Sequence, residues 1–257
     1  MKILNPQSDL DLFFEKIKKT RQRILLLDYD GTLAPFRKER TKARPYPGVS
    51  EILDLIIQNS DTRIVIISGR SINDLIPLLN LKRLPEIWGS HGGERLLPDG
   101  GYLIEDSDQS LNEISDFITN RIIETGWEEM VEVKPLGVAI HWRGLDQERI
   151  SAVAKQIKEW VKPWLNDKNI KLHEFDGGLE LRPQGITKKQ AVQTIMNEAE
   201  DGAVCAYLGD DLTDEDGFRV MKNYGLSVLV RDELRKTAAD LWLRPPEELL
   251  EFLKHWI

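Results

Sequence analysis

Short apolar runs alternate with amphipathic stretches along most of this chain. Ile24–Leu27 is an unbroken apolar run ending at Asp28, and Ile64–Ile67 is another, ending at Ser68. Runs without polar alternation predict strands buried on both faces. Leu84–Ser90 supplies a weaker third strand. Ala203–Leu208, ending at Asp210, and Leu226–Val230 supply two more. Helical spacing falls between them. Leu10, Phe13, Phe14 and Ile17 predict a helix over 8–19, opened by a capping-box pattern of Ser8 and Asp11. Val49, Ile52, Leu53 and Ile56 mark a second helix after a polar, proline-containing loop that runs through Pro47. A third starts near Ser71, a fourth follows Thr187, and Pro245–Trp256 closes the chain. Strands alternating with helices predict an α/β fold, a Rossmann-like doubly wound parallel sheet.

The pattern changes after Gly89-Ser90-His91-Gly92-Gly93-Glu94. Turn signals at Asp99-Gly100-Gly101 and Asp176-Gly177-Gly178 bracket a different section. It reads as a helix (109–125), a hairpin (131–134 and 138–143), a helix (147–165) and a strand (170–175). In the hairpin Val138, Ile140 and Trp142 share one face, with Ala139, His141 and Arg143 on the other. Alternation predicts a sheet with one open face, so this section is an α+β insert. The expected organisation is core (1–100), inserted domain (101–180) and core again (181–257). Trp160 and Trp164 repeat with Ile150, Val153 and Ile157 along one helix stripe, which assigns them to the insert's core and not to a ligand.

Composition narrows the class. The chain has 257 residues, 41% hydrophobic and 30% charged, enough to bury a core. Its net charge is −8, which gives no global basic footprint for nucleic acid. No apolar run approaches the ~20 residues of a membrane span. Pro6, Asp9 and Asp11 interrupt the N-terminal apolar stretch, unlike a signal peptide. The single cysteine, Cys205, excludes an internal disulfide, fits a reducing compartment and reads as a small buried hydrophobe. A cytoplasmic protein is expected. The acid surplus lies in the insert: residues 101–180 hold 16 acidic and 9 basic residues, the remainder 27 and 26.

Open α/β sheets bind ligands at the carboxyl ends of their strands. Those ends carry Asp28-Tyr29-Asp30-Gly31-Thr32, Ser68-Gly69-Arg70 and Gly209-Asp210-Asp211-Leu212-Thr213-Asp214. Asp28 and Asp30, two apart, would share one face of a strand, and Asp210 would complete a carboxylate cluster. Such a cluster repels itself unless a cation sits in it, and oxygen-only ligands suit Mg²⁺. Asp211 and Asp214 either act near this site or cap the helix that follows Leu212.

DxDGT, then SGR, then a lysine at a helix start, then GDDLTDE resemble the haloacid-dehalogenase (HAD) superfamily of phosphatases, in order along the whole chain. The resemblance implies Asp28 as nucleophile, Asp30 as acid and base, and Mg²⁺ held by Asp28, Asp210 and the Asp30 carbonyl. It implies Ser68 and Lys188 as phosphoryl contacts, with Gly31, Thr32, Arg70 and His91 lining the site. Asp211 and Asp214 would orient Lys188 or reach the metal. The family often has Lys-Gly where this chain has Lys188-Lys189. Lys188 is preferred over Lys189 because Gly185 and Ala191 then keep their usual offsets.

Within the superfamily, DYDGTL, GSHGGE, VEVKPLGVAIHWR, GLELRP and GDDLTDE are similar to trehalose-6-phosphate phosphatases. The insert would then be an α/β cap whose Glu132, Lys134, His141, Arg143 and Glu180 contact a disaccharide phosphate. Paired charges on an exposed hairpin face are the plainer reading of those residues, and His141 also suits a half-buried sheet position. The implied function is Mg²⁺-dependent hydrolysis of trehalose 6-phosphate. Its rivals are sucrose phosphate, mannosyl- or glucosyl-phosphoglycerate, or a non-catalytic partner of a trehalose-phosphate synthase.

Overall fold

The computed structural model describes every residue except 38, 106–108, 143, 166–168 and 176. The chain forms two compact units, one of Met1–Leu103 with Thr187–Ile257, the other of Ile104–Ile186. The first segment runs β1 (Lys2–Ile3), α1 (Leu10–Lys19), β2 (Arg23–Leu27), α2 (Val49–Asn59), β3 (Thr62–Ile67), α3 (Ile72–Leu79), β4 (Glu86–Gly89), β5 (Glu94–Leu96) and β6 (Tyr102–Ile104). The inserted unit holds α4 (Gln109–Thr125), β7 (Val131–Lys134), β8 (Gly137–His141), α5 (Gln147–Val161), β9 (Ile170–Phe175) and β10 (Gly178–Pro183). The chain then returns through α6 (Lys188–Asn197), β11 (Val204–Gly209), α7 (Glu215–Met221), β12 (Gly225–Val230), β13 (Leu241–Leu243) and α8 (Glu247–Lys254).

The core sheet has the order β1-β13-β12-β11-β2-β3-β4-β5-β6. Its six central strands, β13 to β4, are parallel, while β1 and β5 pair antiparallel at the flanks. The apolar runs explain this placement. Leu25 and Leu27 of β2, with Ala206 and Leu208 of β11, enter one cluster beside Val49, Leu53, Leu249 and Phe252 of α2 and α8. Their neighbours Ile24, Leu26, Cys205 and Tyr207 enter a second cluster with Val192, Ile195 and Phe218 of α6 and α7. A strand buried on both faces has no polar alternation to show. Cys205 is buried, as a small hydrophobe would be.

The structure differs from expectation in a few places. Asp9, not Ser8, caps α1, accepting from the Leu12 N–H. The short strands β1, β5, β6 and β13 carry too few residues for periodicity to mark them. Both divisions lie later in the chain than the expected 101 and 180, with the inserted unit running from Ile104 to Ile186. β6 continues to Ile104, and β10 keeps pairing to Pro183, opposite Ile170. The Asp99-Gly100-Gly101 signal is the turn between β5 and β6, closed by the Leu97 N–H on the Gly101 carbonyl at 2.8 Å. No helix among the described residues is long and apolar enough to cross a membrane.

The inserted unit is an antiparallel sheet of order β7-β8-β10-β9. Val138, Ile140, Leu179 and Leu181 pack on Ile114, Ile118, Val153 and Ile157 of α4 and α5, with Trp160 and Trp164 against the same cluster.

Candidate active site

Register builds the site. Leu27 of β2 pairs with Leu208 of β11 in parallel, so the two strands end side by side. The Asp28 N–H donates to the Leu208 carbonyl at 2.9 Å. Thr187 caps α6 through the Gln190 N–H, which starts the helix at Lys188. From there Lys188 donates to Asp28 Oδ1 at 2.6 Å and to Asp214 Oδ1 at 2.7 Å. Lys188 is buried and Lys189 exposed, so geometry distinguishes the two candidates. Thr32 donates its hydroxyl to Asp28 Oδ2 at 2.8 Å, so it braces that carboxylate.

Asp214 is fully engaged. Oδ1 accepts from Lys188 and from the Tyr207 hydroxyl, and Oδ2 accepts the N–H groups of Asp210 and Asp211 at 3.1 and 3.0 Å. Asp211 caps the turn at Leu212–Asp214 in a capping box with Asp214. Arg235 donates to the carbonyls of Asp210 and Asp211 at 3.0 and 2.8 Å and pairs with Glu215, so it braces this loop from outside. Neither Tyr207 nor Arg235 stood out in the sequence. Tyr207 is one more residue of an apolar run, and Arg235 lies in the polar loop after β12, a strand end overlooked.

Asp28, Asp210 and Asp214 bring carboxylate oxygens within 4.8 Å of one another. One ammonium faces three carboxylates. Burial, reinforced by Asp214 and opposed by Lys188, pushes the Asp28 carboxyl up to about 7. Burial, with Asp28 and Asp214 adding, raises Asp210 well above the ordinary carboxylate range. Burial also opposes charge on Lys188 and Asp214, but their mutual attraction outweighs it, holding the lysine above and the aspartate below their ordinary values. Asp210 Oδ2 is buried without a hydrogen-bond partner among the described residues, with the Arg231 guanidinium 3.9 Å away. A Cβ on Gly31, whose φ is +88°, would stand 2.2 Å from that oxygen, so only glycine leaves room for it. An unpartnered carboxylate oxygen beside Asp28, in a pocket of excess negative charge, fits an oxygen-seeking divalent cation.

Asp30 does not join this cluster, contrary to the expectation from its spacing. β2 ends at Leu27, so strand alternation no longer governs the Asp28–Asp30 stretch. Arg70 instead takes the Asp30 carboxylate in a bidentate pair, 2.6 Å on each arm. Arg70, expected as a substrate contact, is buried and committed to Asp30. Its N–H donates to Ser68 Oγ at 3.1 Å, which leaves the Ser68 hydroxyl hydrogen as that side chain's donor. His91 packs its ring over Gly69 and donates its N–H to the Ser68 carbonyl at 2.8 Å.

In the inserted unit, the face opposite α4 and α5 carries Glu132, Lys134, His141, Glu180 and Arg182. Lys134 donates to Glu180 at 2.5 Å and lies 3.9 Å from Glu132. Glu132 meets His141 Nε2 at 2.8 Å, and Arg182 donates to Glu180 at 3.3 Å. The four expected residues described here thus form one charge-paired network. Arg143 lies outside the described residues. His173, opposite Glu180 in the ladder, was not anticipated. Burial, then the charge of Arg182, outweighs Glu180 and pushes its imidazole down to about 4. The unfolded chain therefore binds a proton that the folded one refuses between about pH 6.5 and about pH 4, and stability falls as pH drops through that window. His173→Gln should flatten this acid limb, seen as urea midpoints that differ less between about pH 7 and about pH 4.5. Parallel curves for the two proteins would refute the burial effect.

The parallel α/β core, with carboxylates and a buried lysine together at its strand ends, has the fold of haloacid dehalogenase-like hydrolases. A haloacid dehalogenase-like hydrolase from Bacteroides thetaiotaomicron shares the fold at a TM-score of 0.63, 17% identical, over 92% of this chain and 100% of that one. The trehalose-phosphatase family model matches residues 26–242, so the chain belongs to that family. A trehalose-phosphate phosphatase of Mycobacterium leprae is 30% identical over 255 residues, 90% of this chain. The chain spans 57% of the length of that relative. The C-terminal domain of the Candida albicans trehalose-6-phosphate phosphatase has the same fold, with a TM-score of 0.79 at 24% identity, covering 100% of this chain and 99% of that one.

Proposed function

We propose that this chain hydrolyses trehalose 6-phosphate to trehalose and phosphate through an aspartyl-phosphate on Asp28, with Mg²⁺ as cofactor. The observation that carries this reading is the buried contact of Asp28, Lys188 and Asp214 at adjoining strand ends of a trehalose-phosphatase-family chain. Asp28 and Asp210, with the Asp30 carbonyl, would hold Mg²⁺. When bound, the ion neutralises the carboxylates, so that an anionic phosphoryl group is able to approach them.

The protein's own groups account for the remaining chemistry. An Asp28 oxygen, aimed by Thr32, attacks phosphorus as the bond to the sugar oxygen breaks. Asp30, once it has exchanged its bidentate pairing with Arg70 for a proton, gives that proton to the leaving oxygen. Water then attacks phosphorus, passes its proton to Asp30 and frees the Asp28 carboxylate with inorganic phosphate. Lys188 and the Ser68 hydroxyl offset charge on the phosphoryl oxygens. Asp214 touches neither phosphorus nor metal in this scheme; it fixes Lys188 and the Asp210 loop.

On this reading Glu132, Lys134, His141, Arg143 and Glu180 grip the disaccharide, since carboxylates accept hydroxyl pairs and cations donate to hydroxyls or phosphate. A panel of sugar phosphates at saturating Mg²⁺ tests it. Trehalose 6-phosphate should exceed glucose 6-phosphate in kcat/KM by on the order of 100-fold. Comparable turnover of the two removes the disaccharide assignment. Glu132→Ala should lower kcat/KM for trehalose 6-phosphate by about 10- to 100-fold while changing p-nitrophenyl phosphate hydrolysis little. Equal losses on both substrates would make Glu132 a folding residue.

A further inference from the structure

The segment Gly89-Ser90-His91-Gly92-Gly93-Glu94 takes no part in the chemistry above, yet its backbone is held in a costly shape. Ser90 and His91 are adjacent non-glycine residues with φ of 47° and 60°. Side chains of L-residues adopt that region reluctantly, and such strain persists only where neighbours over-determine it. Here they do. The Ser90 N–H donates to the Arg70 carbonyl at 2.7 Å, and the His91 N–H donates to the Ser68 carbonyl at 2.8 Å. The strained pair therefore holds both ends of the Ser68-Gly69-Arg70 loop. The His91 ring fills the space over Gly69, where a Cβ would come within 2.6 Å of it.

The other side of the turn meets a different element of the site. A Cβ on Gly92, at φ +112°, would stand 3.2 Å from the Thr187 carbonyl oxygen and from Ala191 Cβ, in the first turn of α6. That turn carries Lys188. The segment thus stands between the loop bearing Ser68 and Arg70 and the helix bearing Lys188. Its shape depends on Glu94, 1% exposed, whose carboxylate accepts the Ser90 hydroxyl at 2.5 Å and the Tyr102 hydroxyl at 3.0 Å.

We propose that this turn is a spacer that sets the separation of Ser68 from Lys188, with Glu94 as its positioning residue. Glu94 touches no reacting atom. It holds Ser90 and His91 left-handed, those residues hold the Ser68 and Arg70 carbonyls, and Gly92 seats the assembly against α6. The inference rests on Ser68 and Lys188 handling one phosphoryl group. Displacing one of them by about 1 Å lowers turnover by on the order of 100-fold.

The test uses the full chain and two measurements: p-nitrophenyl phosphate hydrolysis at saturating Mg²⁺, and backbone amide chemical shifts without substrate. Glu94→Ala should lower kcat by about 10- to 100-fold with a much smaller change in KM. It should also move the amide resonances of Ser68–Arg70 and Thr187–Lys188. Glu94→Gln keeps an acceptor for the Ser90 hydroxyl and should restore kcat to within about threefold of the parent. Should Glu94→Ala fail to fold, Ser90→Ala, which removes only the hydroxyl, takes its place with the same expectations. Shifts confined to residues 90–94 and 102, with kcat in proportion to the folded fraction, overturn the spacer. If the parent chain hydrolyses no phosphate ester, the proposed function fails instead, and the amide shifts alone decide the spacer.

Discussion

Asp28→Asn should lower phosphate release by at least ~10⁴-fold, the scale of losing a covalent nucleophile, and should leave the fold intact. The carboxyl is buried, and burial already pushes it up to about 7, so the site favours its neutral form. Asparagine preserves its shape and an acceptor for the Thr32 hydroxyl or for Lys188. Without divalent cation, the variant should therefore melt no lower than the parent at about pH 8, because one buried charge is gone. Mg²⁺ should raise the parent's melting temperature and raise that of Asp28→Asn less, since ligand binding stabilises in proportion to affinity. Phosphate release at the parental rate would refute the covalent route. Loss of activity together with loss of fold would show that Asp28 is needed for structure.

Lys188→Met should cause the largest loss of stability available at this site. The ammonium is the shared partner of Asp28 and Asp214, and removing one member of a buried ion cluster costs about 3–5 kcal/mol. At this chain length that is a fall in melting temperature on the order of 10 °C. The deficit should shrink on acidification. A carboxyl whose folded pKa is raised binds its proton more readily in the folded chain, so metal-free stability falls as pH rises from about 4 through about 7. Near pH 5 a proton on Asp28 replaces part of the lost positive charge. Lys189→Met, by contrast, alters an exposed side chain and should leave both stability and turnover near parental values. Matched denaturation midpoints for the parent and Lys188→Met at about pH 8 would contradict the ion cluster.

Much of the core was legible because local chemistry and tertiary outcome agree there. Apolar runs such as Ile24–Leu27 carry their own message, since a strand with both faces covered has no polar positions. Thr187 announced the start of α6. Asp30 shows where this stopped. Its spacing from Asp28 implied a shared strand face, but the strand had already ended and Arg70, 40 residues on, captured its carboxylate. Arg70 and Thr32, expected as ligand contacts, hold the Asp30 and Asp28 carboxylates, contacts that spacing along the chain does not reveal. In the inserted unit, alternation along β8 separated the core face from the polar face. It carried no information on which charges pair, and the Lys134–Glu180 contact joins residues 46 apart.

The sequence alone therefore determined the order of the longer core strands and their helices, the chemistry at the ends of those strands and the family that those motifs resemble. These are set by periodicity, N-cap residues and turn residues acting over a few positions. Only the tertiary structure decided which charges meet. Lys188 reaches Asp28 across 160 residues and Asp214 across 26. The reason is the parallel register of β2 with β11, which places two strand ends side by side beneath the start of α6. Electrostatic partnership in a buried site depends on that placement in space, since at such distances along the chain no sequence spacing encodes it.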